Sequence, residues 1–170
     1  MYMTVIQKQA RLRALLMAGI VAVMVAPAVV SADKQSPPDT VSFVDLERYA
    51  GRWYEIASIP NRFQKHCRGN TVASYRPVEE QRIEVINSCL DKDGSVDTAQ
   101  GIARIVDSSS NAKLEVSFVS LFGWQLFWGD YWVLELADDY SYVIVGTPNF
   151  RYGWILSRTP ELSTEIRQYL

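Results

Sequence analysis

Apolar and polar positions alternate along much of this chain, the pattern of a strand with one wet and one dry face. Leu114, Val116 and Phe118 alternate with Lys113, Glu115 and Ser117, so the first set faces inward. Ile83 and Val85 alternate with Arg82 and Glu84, and the same parity turns Asn87 and Cys89 inward. A buried amide needs partners. Asn87 therefore reads in two ways, as a polar group facing a cavity or as a satisfied amide in an ordinary core. Strand-like runs cover residues 53–59, 71–76, 83–89, 101–106, 114–119, 131–136, 142–146 and 154–157. Turn signals separate them at 77–80, 91–94, 108–111, 138–139 and 148–149. Eight short strands at even spacing, without helices between them, predict an all-β sandwich or up-and-down barrel. Asp45 is placed to cap one helical turn ending at Tyr49. Thr159-Pro160 and Ser163 offer helix starts near the end. Leu162, Ile166, Tyr169 and Leu170 follow at helical spacing, so a short helix should lay one face on the outside of the strands.

Both ends of the chain change this picture. Lys8, Arg11 and Arg13 precede an uncharged apolar run over 14–26, and Val30-Ser31-Ala32 places small side chains at a cleavage site. Residues 1–32 thus read as a secretory signal peptide. Residues 33–43 are a polar lead-in with two prolines, and 44–170 form one domain. No cysteine precedes Cys67, so no lipoprotein cysteine is expected at the cleavage site. The leader holds three of the 17 basic residues and none of the 19 acidic ones, so the exported chain carries −5. That balance argues against nucleic acid and against purely electrostatic membrane binding. Two cysteines in an exported chain, Cys67 and Cys89, predict one disulfide. They make no zinc site, because only His66 could join them. A single histidine also leaves no ordinary catalytic triad, and there is no phosphate loop or dinucleotide motif. No cofactor is expected, and the remaining route to catalysis is a free Cys89 thiol.

Three stretches then line up. Gly51-Arg52-Trp53 opens the first strand, Gly129-Asp130-Tyr131-Trp132 begins the sixth, and Trp154 to Arg158 closes the eighth. In type, order and spacing they resemble the motifs of the lipocalin family, in its bacterial group, which is similar to plant temperature-induced lipocalins and apolipoprotein D. The resemblance covers Val44 to Leu170. It implies an eight-stranded up-and-down antiparallel β-barrel, a calyx closed at one end, with a short C-terminal helix. Gly51, Trp53, Asp130, Tyr131 and Arg158 are then structural: Trp53 plugs the closed end and Arg158 lies across its ring. Gly129 stands where many relatives have threonine. Relatives usually continue through a longer helix and a further strand, whereas this chain stops inside that helix.

The resemblance implies a non-catalytic protein that transports or stores a fatty acid or lysophospholipid in the cell envelope, in the periplasm or secreted. The alternatives are a lipid-modifying lipocalin using the Cys89 thiol and a haem- or pigment-binding lipocalin with His66 as ligand. Strand parity and matching positions in relatives give the cavity candidates Glu55, Thr71, Ala73, Tyr75, Val85, Asn87, Val116, Phe118, Trp132 and Leu134. The apolar members would hold an acyl chain, while Tyr75, Asn87 and Arg62 would orient its head. Connections at 60–70, 90–98, 120–129 and 147–152 fall at the open end. One of them carries Phe122, Trp124, Phe127 and Trp128 without a charge. Such a patch needs a reason. It is a lid, a contact with a lipid headgroup layer, or a dimer interface, so the chain is expected as monomer or homodimer.

Overall fold

The computed structural model describes residues 36–79 and 81–169. The signal peptide expected over 1–32 lies outside the described residues. Ordered contact with the barrel is established by Val41, whose N–H donates to the Val133 carbonyl at 3.0 Å. A single turn, α1 (Leu46–Tyr49), follows, and the Asp45 carboxylate accepts from the N–H groups of Glu47 and Arg48.

Ten strands come next: β1 (Gly51–Ser58), β2 (Cys67–Pro77), β3 (Arg82–Asp91), β4 (Val96–Ile105), β5 (Lys113–Ser117), β6 (Val119–Leu121), β7 (Trp124–Leu126), β8 (Gly129–Leu136), β9 (Tyr142–Gly146) and β10 (Gly153–Ser157). Eight of them close an antiparallel barrel in the order β1-β10-β9-β8-β5-β4-β3-β2. Neighbours in the barrel are neighbours in sequence, apart from the closing pair β1–β10 and the step from β5 to β8. That step skips a separate hairpin, β6–β7, which occupies the aromatic connection expected to be a plain loop. Closure removes the exposed edges that an open sheet would leave.

The core is thickest at the closed end. Trp53 is fully buried there, in one apolar cluster with Val44, Val133 and Val143. Its indole N–H donates to the Tyr49 carbonyl at 2.8 Å. The Arg158 guanidinium lies 3.9 Å from the Trp53 ring centroid and donates to the carbonyls of Ala50, Arg52 and Arg48. One side chain thus satisfies three backbone acceptors at the start of the barrel and adds a cation–π contact of up to about 2 kcal/mol. Gly51 sits beneath it with φ +94, a conformation that suits glycine. After β10 comes α2 (Thr164–Tyr169), whose Ser163 hydroxyl accepts from the Ile166 N–H at 3.3 Å. Leu162 is buried just before it.

Candidate functional site

The strands run up and down, so the connections after β1, β3, β5 and β9 meet at the open end. Beneath them lies a cavity of about 610 Å³ inside the barrel. Its walls come from residues that alternate inward on every barrel strand, as the pleat requires. Among these are Val85, Ala103, Leu114, Val116, Val145 and Leu156.

Polar groups enter this apolar wall at three levels. At the floor three phenols form a chain: the Tyr131 hydroxyl lies 2.7 Å from that of Tyr49 and 3.0 Å from that of Tyr75. Burial pushes the Tyr75 phenol up to about 12, only partly offset by its bond to Tyr131. Burial also pushes Tyr49 and Tyr131 well above the ordinary phenol value; Tyr75 adds to the shift of Tyr49, whose bond to Tyr131 offsets it in part, and both neighbours add to the shift of Tyr131. All three rings are therefore neutral at ordinary pH. In the wall, the Asn87 side-chain oxygen is shut from water and has no hydrogen-bond partner among the described residues. At the mouth, the Glu55 carboxylate accepts from Ser58 and from the Gln64 amide. Gln64 in turn accepts from the Trp154 indole at 3.2 Å. This network ties the first connection to β1 and β10. Tyr152 stacks near Trp154 and Phe63 leans on Tyr152, completing an aromatic wall at the rim.

Eight of the ten cavity candidates line this space: Glu55, Thr71, Ala73, Tyr75, Val85, Asn87, Val116 and Phe118. Trp132 and Leu134 do not. β8 begins at Gly129, and its inward residues are Tyr131 and Val133. Trp132 pairs with Lys113 and lies under its ammonium, 4.6 Å from ring centroid to Nζ, on the outer face. Leu134 shares that parity and packs over Gly146. A register shift between Val133 and Glu135 further bends the strand there. Arg62 also departs from its expected role. It is exposed outside the cavity wall, beside Lys65 and Arg151 in a surface depression of the rim. Tyr75 is a floor residue rather than a rim residue. Asp130 is exposed at the start of β8, whereas Tyr131 lies within. Gln64, Tyr152 and Trp154 at the mouth were not anticipated; they sit on or beside a connection where alternation carries no information.

Cys67 and Cys89 are joined, with Cα atoms 5.6 Å apart, and the bridge ties the start of β2 to the end of β3 at the mouth. Cys89 therefore has no thiol for catalysis. His66 approaches both sulfurs, but sulfurs bonded to one another do not act as thiolate ligands. The His66 Nε2 pairs with Asp97 at 2.8 Å instead.

The aromatic hairpin stands out from the rim. Phe122, Trp124 and Phe127 are 93%, 76% and 81% exposed. Trp128 is held back, half-buried, with the Arg104 guanidinium 4.2 Å over its ring. At the root, the buried Ser117 hydroxyl donates to the carbonyls of Leu126 and Val119.

The family model for the lipocalin-like domain matches residues 44–170. Temperature-induced lipocalin-1 of Arabidopsis thaliana is 38% identical over 135 residues, covering 78% of this chain and 72% of that protein. Outer membrane lipoprotein Blc of Escherichia coli K12 is 37% identical over 144 residues, covering 82% and 78%. Among solved structures, insecticyanin from the tobacco hornworm Manduca sexta superposes with a TM-score of 0.61 at 25% identity, covering 78% of this chain and 74% of that one. With the closed barrel, the plugged floor and the open calyx beside these matches, the chain belongs to the lipocalin family, whose members bind small hydrophobic ligands.

Proposed function

We propose that this protein binds one single-chain lipid, a fatty acid or lysophospholipid, and carries or stores it in the cell envelope without chemical change. The observation that carries this reading is the calyx itself. A cavity of about 610 Å³ falls within the roughly 300–1,000 Å³ of small-ligand pockets, and its apolar walls suit an acyl chain. The tail enters first. The Glu55 carboxylate at the mouth is already satisfied by Ser58 and Gln64, so an anionic head stays outside it. Arg62, Lys65 and Arg151 lie together on the rim, where such a head would emerge. An envelope location is supported by the disulfide, which persists in oxidising compartments, and by relatives named outer membrane lipoproteins.

The test is native mass spectrometry of the exported chain, purified without detergent, with identification of any released lipid. One fatty acid or lysophospholipid per chain is the expected result. An empty protein that also fails to take up a fluorescent fatty acid would overturn the reading.

A further inference from the structure

Three of the four connections at the open end carry no carboxylate. Residues 59–66 bring Arg62 and Lys65, residues 147–152 bring Arg151, and residues 118–128 bring no charge at all. The carboxylates at this end are Asp91, Asp93 and Asp97 on the β3–β4 connection and the strand ends beside it, Asp130 at the start of β8 and Glu55 inside the mouth; Asp97 is paired with His66, and Glu55 is bonded to Ser58 and Gln64. In a chain of net negative charge, Arg62, Lys65 and Arg151 thus form a local basic cluster on one side of the open end. The barrel order also makes the basic connections neighbours of the hairpin. The connection after β9 lies between the one after β1 and the one that carries β6–β7. Arg62, Lys65 and Arg151 line one depression there.

The apolar side of this end is equally marked. Besides the hairpin rings, Ile59, Phe63 and Phe150 are exposed on the two basic connections. Phe122, Phe127 and Phe150 have φ of 50, 57 and 56, in the left-handed region. At a tight hairpin turn, asparagine or glycine would meet that demand without strain. Here phenylalanine meets it three times, all at the mouth, and the two on the hairpin turn their rings almost wholly to solvent. Holding a bulky residue there costs free energy, and such strain clusters at ligand and switch surfaces. Exposed aromatics beside cations match the chemistry of a headgroup layer, where rings sit at the interface and basic groups meet phosphate.

We propose that the open end of the barrel docks on an anionic phospholipid bilayer, with Phe122, Trp124 and Phe127 in the headgroup layer and Arg62, Lys65 and Arg151 against lipid phosphates. The contact is peripheral: among the described residues no helix is long and apolar enough to cross a membrane. Docking in this orientation presents the calyx mouth to the lipid surface, so a ligand leaves the bilayer without crossing water. The surface is independent of which lipid the cavity holds.

The exported chain, with loss of the leader checked by mass, is sedimented with phosphatidylcholine vesicles and with mixed phosphatidylcholine–phosphatidylglycerol vesicles. Binding to the mixed vesicles, weakened by high salt and weaker still on phosphatidylcholine alone, is expected. Two variants carry the test, Phe122→Ser/Trp124→Ser and Arg62→Gln/Lys65→Gln/Arg151→Gln. None of these residues lines the cavity. Each variant should lower partition by roughly tenfold or more while keeping the melting temperature of the parent, and the hairpin variant should also keep the parent's fluorescent fatty-acid affinity. A parent that ignores both vesicle types overturns the proposal. So does a variant pair that binds like the parent. A parent that dimerises reversibly through this end, with no vesicle binding, assigns the patch to a second copy instead. Faster ligand release from the hairpin variant, again with no vesicle binding, assigns it to a lid.

Discussion

Asn87 is the residue whose chemistry least matches its surroundings. Its amide oxygen faces an apolar wall with no partner among the described residues. A lone buried acceptor costs about 1–3 kcal/mol, and a fold keeps such a cost where it serves binding. Asn87→Leu should therefore raise the stability of the empty protein by about 1–2 kcal/mol, read as a higher urea midpoint. A lower midpoint would mean that the oxygen is satisfied by a bound water. This residue was legible in the sequence because Ile83, Val85 and Asn87 share one parity. Trp132 and Leu134 were not. Every residue from Tyr131 to Leu134 is apolar in character, so hydrophobicity cannot say which parity faces in. The pairing of Trp132 with Lys113 decides it.

At the scale of elements, the mouth is held by two short ties. One is the hydrogen-bond chain from Glu55 through Gln64 to Trp154. The other is the Cys67–Cys89 bridge, which closes a segment of 22 residues by sequence separation. Removing the bridge with Cys67→Ala/Cys89→Ala should cost about 3 kcal/mol by the loop-entropy relation, measured as a fall in the urea midpoint. A change below about 0.5 kcal/mol would show that the unfolded segment is already compact without the bridge. Gly101 shows another element-level constraint. A Cβ there would lie 2.6 Å from the Ser117 carbonyl oxygen and 2.7 Å from the Phe118 ring, so β4 must be bare where β5 and its Phe118 cross it. The hairpin β6–β7 escaped sequence reading because each strand has only three residues, with Ser120 and Gln125 on one face and the apolar residues on the other. A single period of alternation is too short to separate such a strand from an apolar loop.

Across the whole molecule, the floor is closed by side chains from separate elements. Tyr49 comes from α1, Tyr75 from β2 and Tyr131 from β8, and their hydroxyls meet. This makes stability depend on pH at the alkaline end. The fold raises each phenol above its ordinary value of 10, Tyr75 to about 12. The unfolded chain thus loses these protons first. The contribution of the neutral phenols is fully present below pH 10 and is lost as pH rises toward and beyond 12, at about 1.4 kcal/mol per pH unit for each tyrosine. Melting temperature should hold to near pH 10 and then fall, and phenolate absorbance should show a late group of tyrosines that joins the rest on unfolding. Phenols that all titrate near 10 in the folded protein would mean that the floor is open to water. The other end is organised oppositely, with exposed aromatics and a cluster of Arg62, Lys65 and Arg151 beside an open mouth.

The sequence alone determined the eight barrel strands, the Trp53 plug, the pairing of the cysteines and the inward parity wherever polar and apolar residues alternate, and the resemblance to lipocalins added Arg158 across the plug. Those properties are local, or follow from residue types that have few other uses: a Gly-x-Trp opening, two cysteines in an exported chain, a period of two. Only the tertiary structure decided the rest. It paired β8 so that Tyr131 rather than Trp132 faces in, brought three distant phenols together, left Arg62 on the rim, and shaped the aromatic connection into a hairpin. Each depends on which strand lies beside which and in what register. Hydrogen bonding across the closed barrel sets that register, and no single segment encodes it.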